Sequence, residues 1–211
     1  MEFIDPRLSE YSEVHTSTES DLLRRISRDT RASVMMPRML SGHLQGRFLS
    51  MVSKMIAPKN ILEIGTYTGY SAICLTEGLT QGGKLITLDI NEELEAKVRG
   101  YFHEAGVENV IDYRIGNALE IIPNLREKFE LVFIDADKEN YSKYFDLVID
   151  RVPAGGYLVA DNVLWSGKVL NDHPDKDTQA ILEFNAKVQA DERVENMLVP
   201  IRDGIMMMRR L

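Results

Sequence analysis

Downstream of Lys59 the chain keeps switching its hydrophobic period. Short apolar runs alternate with longer amphipathic ones: NILEI then SAICLTEGL, KLITLDI then EELEAKVRGYFHEAG, VIDYRIG then ALEIIPNL, FELVFIDA then YSKYFDLVIDRV, and GGYLVADN then, past a loop, DTQAILEFNAKVQAD. The short runs read as buried strands and the long ones as helices. Strands joined through a helix return in the same direction, so the repeat demands a mostly parallel sheet covered by helices on both faces. Only the ending departs from it. RVENMLVPI and GIMMMRRL are separated by Arg202 and Asp203 alone, too little chain for a crossover, which predicts an antiparallel hairpin and seven strands in all. Before the repeat, TESDLLRRISRDTRAS at 18–33 and the stretch from Ser41 to about Ile56 have helical spacing, with Pro37 between them.

At 211 residues and 44% hydrophobic, the chain can bury one full core. We expect a single domain over 1–211, with 1–57 a helical extension that contributes to the site. The formal charge of −8 argues against a generally basic nucleic-acid surface, although Arg24, Arg25, Arg28, Arg31, Arg38 and Arg47 have only Asp29 as an acid among them. One cysteine, Cys74, excludes an internal disulfide, and its place on the apolar face of SAICL reads as core. The start MEFIDPRLSEYSEVH lacks the basic and apolar regions of a secretory signal, and no apolar run reaches the roughly 18 to 20 residues that span a bilayer. A cytoplasmic protein with no membrane contact is the expectation.

Two acidic blocks, FIDADKENY at 133–141 and VADNVLW at 159–165, each follow a predicted strand. Asp135, Asp161 and Asn162 then share the carboxyl rim of the sheet, and three oxygen donors there suit a small hard cation such as Mg²⁺. Upstream, ILEIGTYTGYS has the shape of strand, glycine turn and helix start. A dinucleotide site would want a glycine where Tyr67 stands, so a pyrophosphate fits poorly. Glu63, just before Gly65 and Thr66, repels phosphate and attracts a cation, as the ammonium of an amino-acid-bearing nucleoside would supply. S-adenosyl-L-methionine matches that charge. Asp89, ending the next strand, is placed to accept from ribose hydroxyls, Asn117 and Ala118 lie where an adenine would rest, and Ser71 either meets the cofactor carboxylate or caps its helix. Trp165 is a candidate wall for an aromatic ring.

Taken together, ILEIGTYTGYS, LDI, GNALE, FIDADKENY and ADNVLWSGKV resemble the cation-dependent O-methyltransferases, the family of catechol and caffeoyl-coenzyme A O-methyltransferases, from about Met35 to the C-terminus. The small bacterial catechol enzymes are the nearest likeness. The resemblance implies a Rossmann-like methyltransferase fold, Mg²⁺ on Asp135, Asp161 and Asn162, and Lys138 as general base. It also implies a cofactor site of Met39, Glu63, Gly65, Thr66, Ser71, Asp89, Ala118 and Asp135, and a homodimer. A catechol-type phenol is the expected acceptor, because the loop WSGKVLNDHPDKD is compact. A tRNA wobble 5-hydroxyuridine, reached through the N-terminal arginines, and a caffeoyl-coenzyme A ester are the alternatives.

Overall fold

The computed structural model describes residues 5–211, so the first four residues of the expected 1–57 extension lie outside the described residues. Seven strands form one sheet: β1 (Asn60–Ile64), β2 (Lys84–Asp89), β3 (Ile111–Ile115), β4 (Leu131–Ile134), β5 (Tyr157–Asp161), β6 (Val194–Val199) and β7 (Ile205–Arg210). Their order is β3-β2-β1-β4-β5-β7-β6, parallel except for β7, which runs antiparallel to both neighbours. The chain winds outward from β1 to β3 and then returns to lay β4 against the other side of β1. That reversal opens a crevice at the carboxyl ends of β1 and β4, the place where such sheets bind ligands.

Eight α-helices accompany the strands among the described residues: α1 (Pro6–Val14), α2 (Asp21–Ser33), α3 (Gly42–Ile56), α4 (Tyr70–Thr76), α5 (Glu95–Glu104), α6 (Ala118–Ile121), α7 (Tyr141–Val148) and α8 (Lys176–Ala190). Alternate residues of the central strands feed two separate cores. Leu62, Ile64, Val132, Ile134, Leu158 and Ala160 face α7 and α8, where Phe184 meets Tyr141 edge-on at 5.4 Å. Ile61, Leu131, Phe133 and Val159 face the other way, toward Leu23, Ile26, Leu49 and Tyr70 of α2, α3 and α4. Burial on both faces explains why these strands read as continuous apolar runs.

Three elements differ from the sequence expectation. Helix α1 was not foreseen, although Asp5 caps it and Pro6 opens it; none of its residues is buried, so it carries no apolar stripe to reveal it. The β6–β7 loop is longer than two residues, since Val199 pairs with Ile205, and Arg202 within it has a φ of +50°. The earlier helix begins at Asp21 rather than Thr18 because the Ser20 hydroxyl accepts from Leu23 N at 3.2 Å and ends the extended chain there.

Candidate active site

The β4–β5 register sets Ile134 beside Ala160, so the next residues, Asp135 just past β4 and Asp161 at the end of β5, lie side by side at the carboxyl rim. Asn162 follows with a φ of +60°, a left-handed turn that asparagine tolerates. Lys138 enters from the short 3₁₀ turn before α7 and is 8% exposed. Its Nζ donates to Asn162 Oδ1 at 2.8 Å, to Asp135 Oδ1 at 3.2 Å and to the Tyr141 hydroxyl at 2.5 Å. Tyr141 in turn donates to the Asp161 carbonyl at 3.0 Å. The three predicted oxygen donors and the predicted base therefore meet at one rim, held from below by a fully buried tyrosine. Trp165 faces the same lysine, with Lys138 Nζ 5.7 Å from its ring centroid and its own indole Nε1 buried without a partner among the described residues.

Asp161 is 4% exposed, and burial, reinforced by the charge of Asp135, pushes its carboxyl up to about 6. Gln45 from α3 opposes that shift by donating to Oδ2 at 2.6 Å. Gln45 is itself held by Arg202, whose Nη1 donates to Gln45 Oε1 at 2.8 Å and to the Leu40 carbonyl at 3.0 Å. Sequence reasoning missed Gln45 and Tyr141. Tyr141 had a local signal, three residues past Lys138 on one helical face. Gln45 had none, since it lies 116 residues from its partner.

The glycine turn lies on the other side of the crevice. Gly65 has a φ of +102°, and a Cβ built on it would stand 1.9 Å from the Asp135 carbonyl, so only glycine lets the β1 and β4 ends come this close. Asp89 accepts from Thr66 N at 3.0 Å and from Tyr67 N at 2.6 Å, bracing the turn. Met39, Gly65, Thr66, Ser71 and Asp135 line one narrow cleft of about 10 Å³, with Leu40 and Ser41 leaning over it. Glu63 lies beneath that cleft, fully buried, and Ala118 opens α6 on the far core; neither lines it. Burial pushes the Glu63 carboxyl up to about 8. The Thr87 hydroxyl donates to Oε2 at 2.5 Å, while Oε1 has no partner among the described residues. The Ser71 hydroxyl is near enough to oppose the rise without making a directed hydrogen bond.

Cys74 is buried in the core as expected, its thiol pushed up to about 12 chiefly by burial. No helix among the described residues is long and apolar enough to cross a membrane.

The sequence profile of the O-methyltransferase family matches residues 13–211. Over 180 residues the chain is 38% identical to caffeoyl-CoA O-methyltransferase 1 of Eucalyptus globulus, spanning 79% of this chain and 73% of that protein. The SAH-bound methyltransferase PaMTH1 of Podospora anserina is 28% identical with a TM-score of 0.90, over 98% of this chain and 94% of that one. The Bacillus cereus O-methyltransferase in complex with SAH is 29% identical with a TM-score of 0.89, over 97% of each. With that likeness running through the whole sheet and the helices before it, the chain belongs to the O-methyltransferase family and is an S-adenosylmethionine-dependent enzyme.

Proposed function

We propose that the protein transfers a methyl group from S-adenosyl-L-methionine to one hydroxyl of a catechol-type phenol, with Mg²⁺ held by Asp135, Asp161 and Asn162 and with Lys138 as general base. The observation that carries the reading is the position of Lys138 Nζ between Asp135 Oδ1 and Asn162 Oδ1, a cation seated on the rim that Asp161 completes. The donor set fits the ion. The proposed donors are two carboxylates and an amide oxygen, all of them oxygens. Such a hard, sparse set suits an ion that keeps several positions for water or substrate oxygens. When bound, Mg²⁺ supplies a Lewis-acidic anchor for two adjacent phenolic oxygens.

The chain's own residues do the rest. Tyr141 accepts from Lys138 Nζ and donates to the Asp161 carbonyl, which fixes the amine at the rim. Lys138 acts in its neutral amine form: it takes the phenolic proton to become an ammonium as the oxygen attacks the methyl carbon, and the sulfonium leaves as a neutral thioether. Trp165 offers an aromatic wall beside the lysine. Gly65 and Asp89 shape the turn on which the nucleoside rests, and the unpartnered Oε1 of Glu63 suits the ammonium of its amino-acid end.

A caffeoyl-coenzyme A ester is the second reading, favoured by the names of relatives that are 36% to 39% identical. The test is methyl transfer to simple catechols, caffeoyl-coenzyme A and tRNA, each with Mg²⁺ or EDTA, in the wild type and Lys138→Ala. Metal-dependent turnover of a catechol that falls on the order of 10²- to 10⁴-fold in the variant is expected. Turnover surviving EDTA would sink the metal assignment, and turnover confined to tRNA would sink the small phenol.

A further inference from the structure

Three arginines from separate elements line one open cavity of about 310 Å³. Arg31 comes from the last turn of α2, Arg38 from the 3₁₀ turn Pro37–Met39, and Arg202 from the β6–β7 loop, with Pro37 and Leu40 as apolar walls. No carboxylate among the described residues lines it. The other N-terminal arginines are spoken for: Arg24 pairs with Asp21, Arg25 with Glu104, Arg28 lies 4.0 Å from Asp29, and Arg47 is 2.5 Å from Glu77. Arg31 and Arg38 form no ion pair among the described residues. Among the described residues Arg202 bonds through Nη1 alone, and to neutral oxygens of Leu40, Ser41 and Gln45.

Three like charges around one cavity repel one another, and a bound anion turns that repulsion into attraction. Guanidinium groups present paired donors that match the oxygens of phosphate or carboxylate. Arg31 also complements the C-terminal end of α2, and Arg202 also holds the Leu40–Gln45 segment through Nη1. The cavity adjoins the active site, because Leu40 lines both it and the cofactor cleft, and Arg202 reaches Asp161 through Gln45.

We propose that this cavity is an oxyanion subsite for the methyl acceptor, holding a phosphate or carboxylate carried by the molecule whose hydroxyl meets the Asp161–Asn162 rim. The inference rests on the acceptor site assigned under the proposed function. It points to a small anionic acceptor and away from a polynucleotide, since Arg24, Arg25, Arg28 and Arg47 each lie beside a carboxylate and the chain carries −8 overall.

The test is the double variant Arg31→Ala/Arg38→Ala, whose two side chains are exposed and make no hydrogen bond among the described residues. Its kcat/KM is compared with that of the wild type on 4-methylcatechol, caffeate and caffeoyl-coenzyme A. The preference for the anionic acceptors over the neutral one should fall by roughly tenfold or more through KM, the loss expected for charge-assisted hydrogen bonds. A fall for caffeate assigns carboxylate, and a fall for caffeoyl-coenzyme A alone assigns phosphate. An unchanged preference overturns the subsite. Calorimetric titration with pyrophosphate, without any acceptor, separates this inference from the catechol reading. Binding by the wild type that is lost in the double variant supports the subsite even if no phenol is methylated, and no binding by the wild type overturns it.

Discussion

Gln45 Nε2 donates to Asp161 Oδ2 at 2.6 Å, tying a helix that precedes the sheet to a proposed metal ligand at its centre. Both groups are nearly buried, and the remaining Asp161 oxygen accepts from Asn162 N at 2.7 Å. The carboxylate is thus oriented from two sides. Removing the amide in Gln45→Ala leaves a buried acceptor short of one donor and free to turn. Outer-shell losses of this kind weaken a metal site by about 10- to 100-fold. Mn²⁺ binding followed by electron paramagnetic resonance should weaken accordingly, while S-adenosylhomocysteine affinity stays the same. An unchanged Mn²⁺ affinity would count against Asp161 as a ligand.

Gly65→Ala tests the close approach of β1 to β4. The added methyl would meet the Asp135 carbonyl at 1.9 Å, and the φ of +102° is poor for any other residue. Gly82 is the control, with a φ of +74° and nothing within 4 Å of an added Cβ. Urea unfolding should show a loss of about 1 to 2 kcal/mol for Gly82→Ala, the left-handed cost alone, and more than about 3 kcal/mol for Gly65→Ala. Equal losses would show that the turn yields without strain.

Glu63, if it meets the cofactor's ammonium as proposed, should couple cofactor binding to protons. With its carboxyl raised to about 8 by burial, the folded chain keeps a proton that the unfolded chain releases near 4.5. Apo stability should therefore decline as pH rises from about 4.5 to 8, because the unfolded state binds fewer protons there. A bound ammonium favours the ionised form, so binding below pH 8 should release a proton. Calorimetry of S-adenosylmethionine in buffers of different ionisation heat should show that release, and Glu63→Gln should abolish it. Release unaltered in the variant would place the ammonium elsewhere.

Glu77 gives the opposite slope. Burial would raise its carboxyl, but Arg47 at 2.5 Å, Lys54 at 2.7 Å and Ser50 at 2.8 Å from α3 pull it down to about 2. The stability it contributes is complete above the unfolded value near 4.5 and is lost as pH falls toward 2. Glu77→Gln should cost about 1 to 2 kcal/mol at pH 7, after allowance for partial exposure, and the two unfolding curves should converge near pH 2. A constant gap at every pH would mean that packing, and not charge, carries the contact.

The alternation of short apolar runs and amphipathic stretches was enough to determine a parallel sheet with a terminal hairpin, because two-sided burial and helical crossovers each leave their own period. The acids at the carboxyl ends of β1, β2, β4 and β5 were equally legible, since charge at the end of a buried strand has few structural reasons to be there. What the sequence could not show is what reaches the site from far away in the chain. Gln45 and Arg202 have no pattern that marks them, because a hydrogen bond between distant residues leaves no period. The pairing of four N-terminal arginines, and the gathering of Arg31, Arg38 and Arg202 around one cavity, depend on how α2, the Pro37 turn and the β6–β7 loop pack together. Local propensity and hydrophobic period determined the elements and the rim on which the chemistry sits, whereas tertiary packing decided which distant side chains orient Asp161 and which charges stay uncompensated.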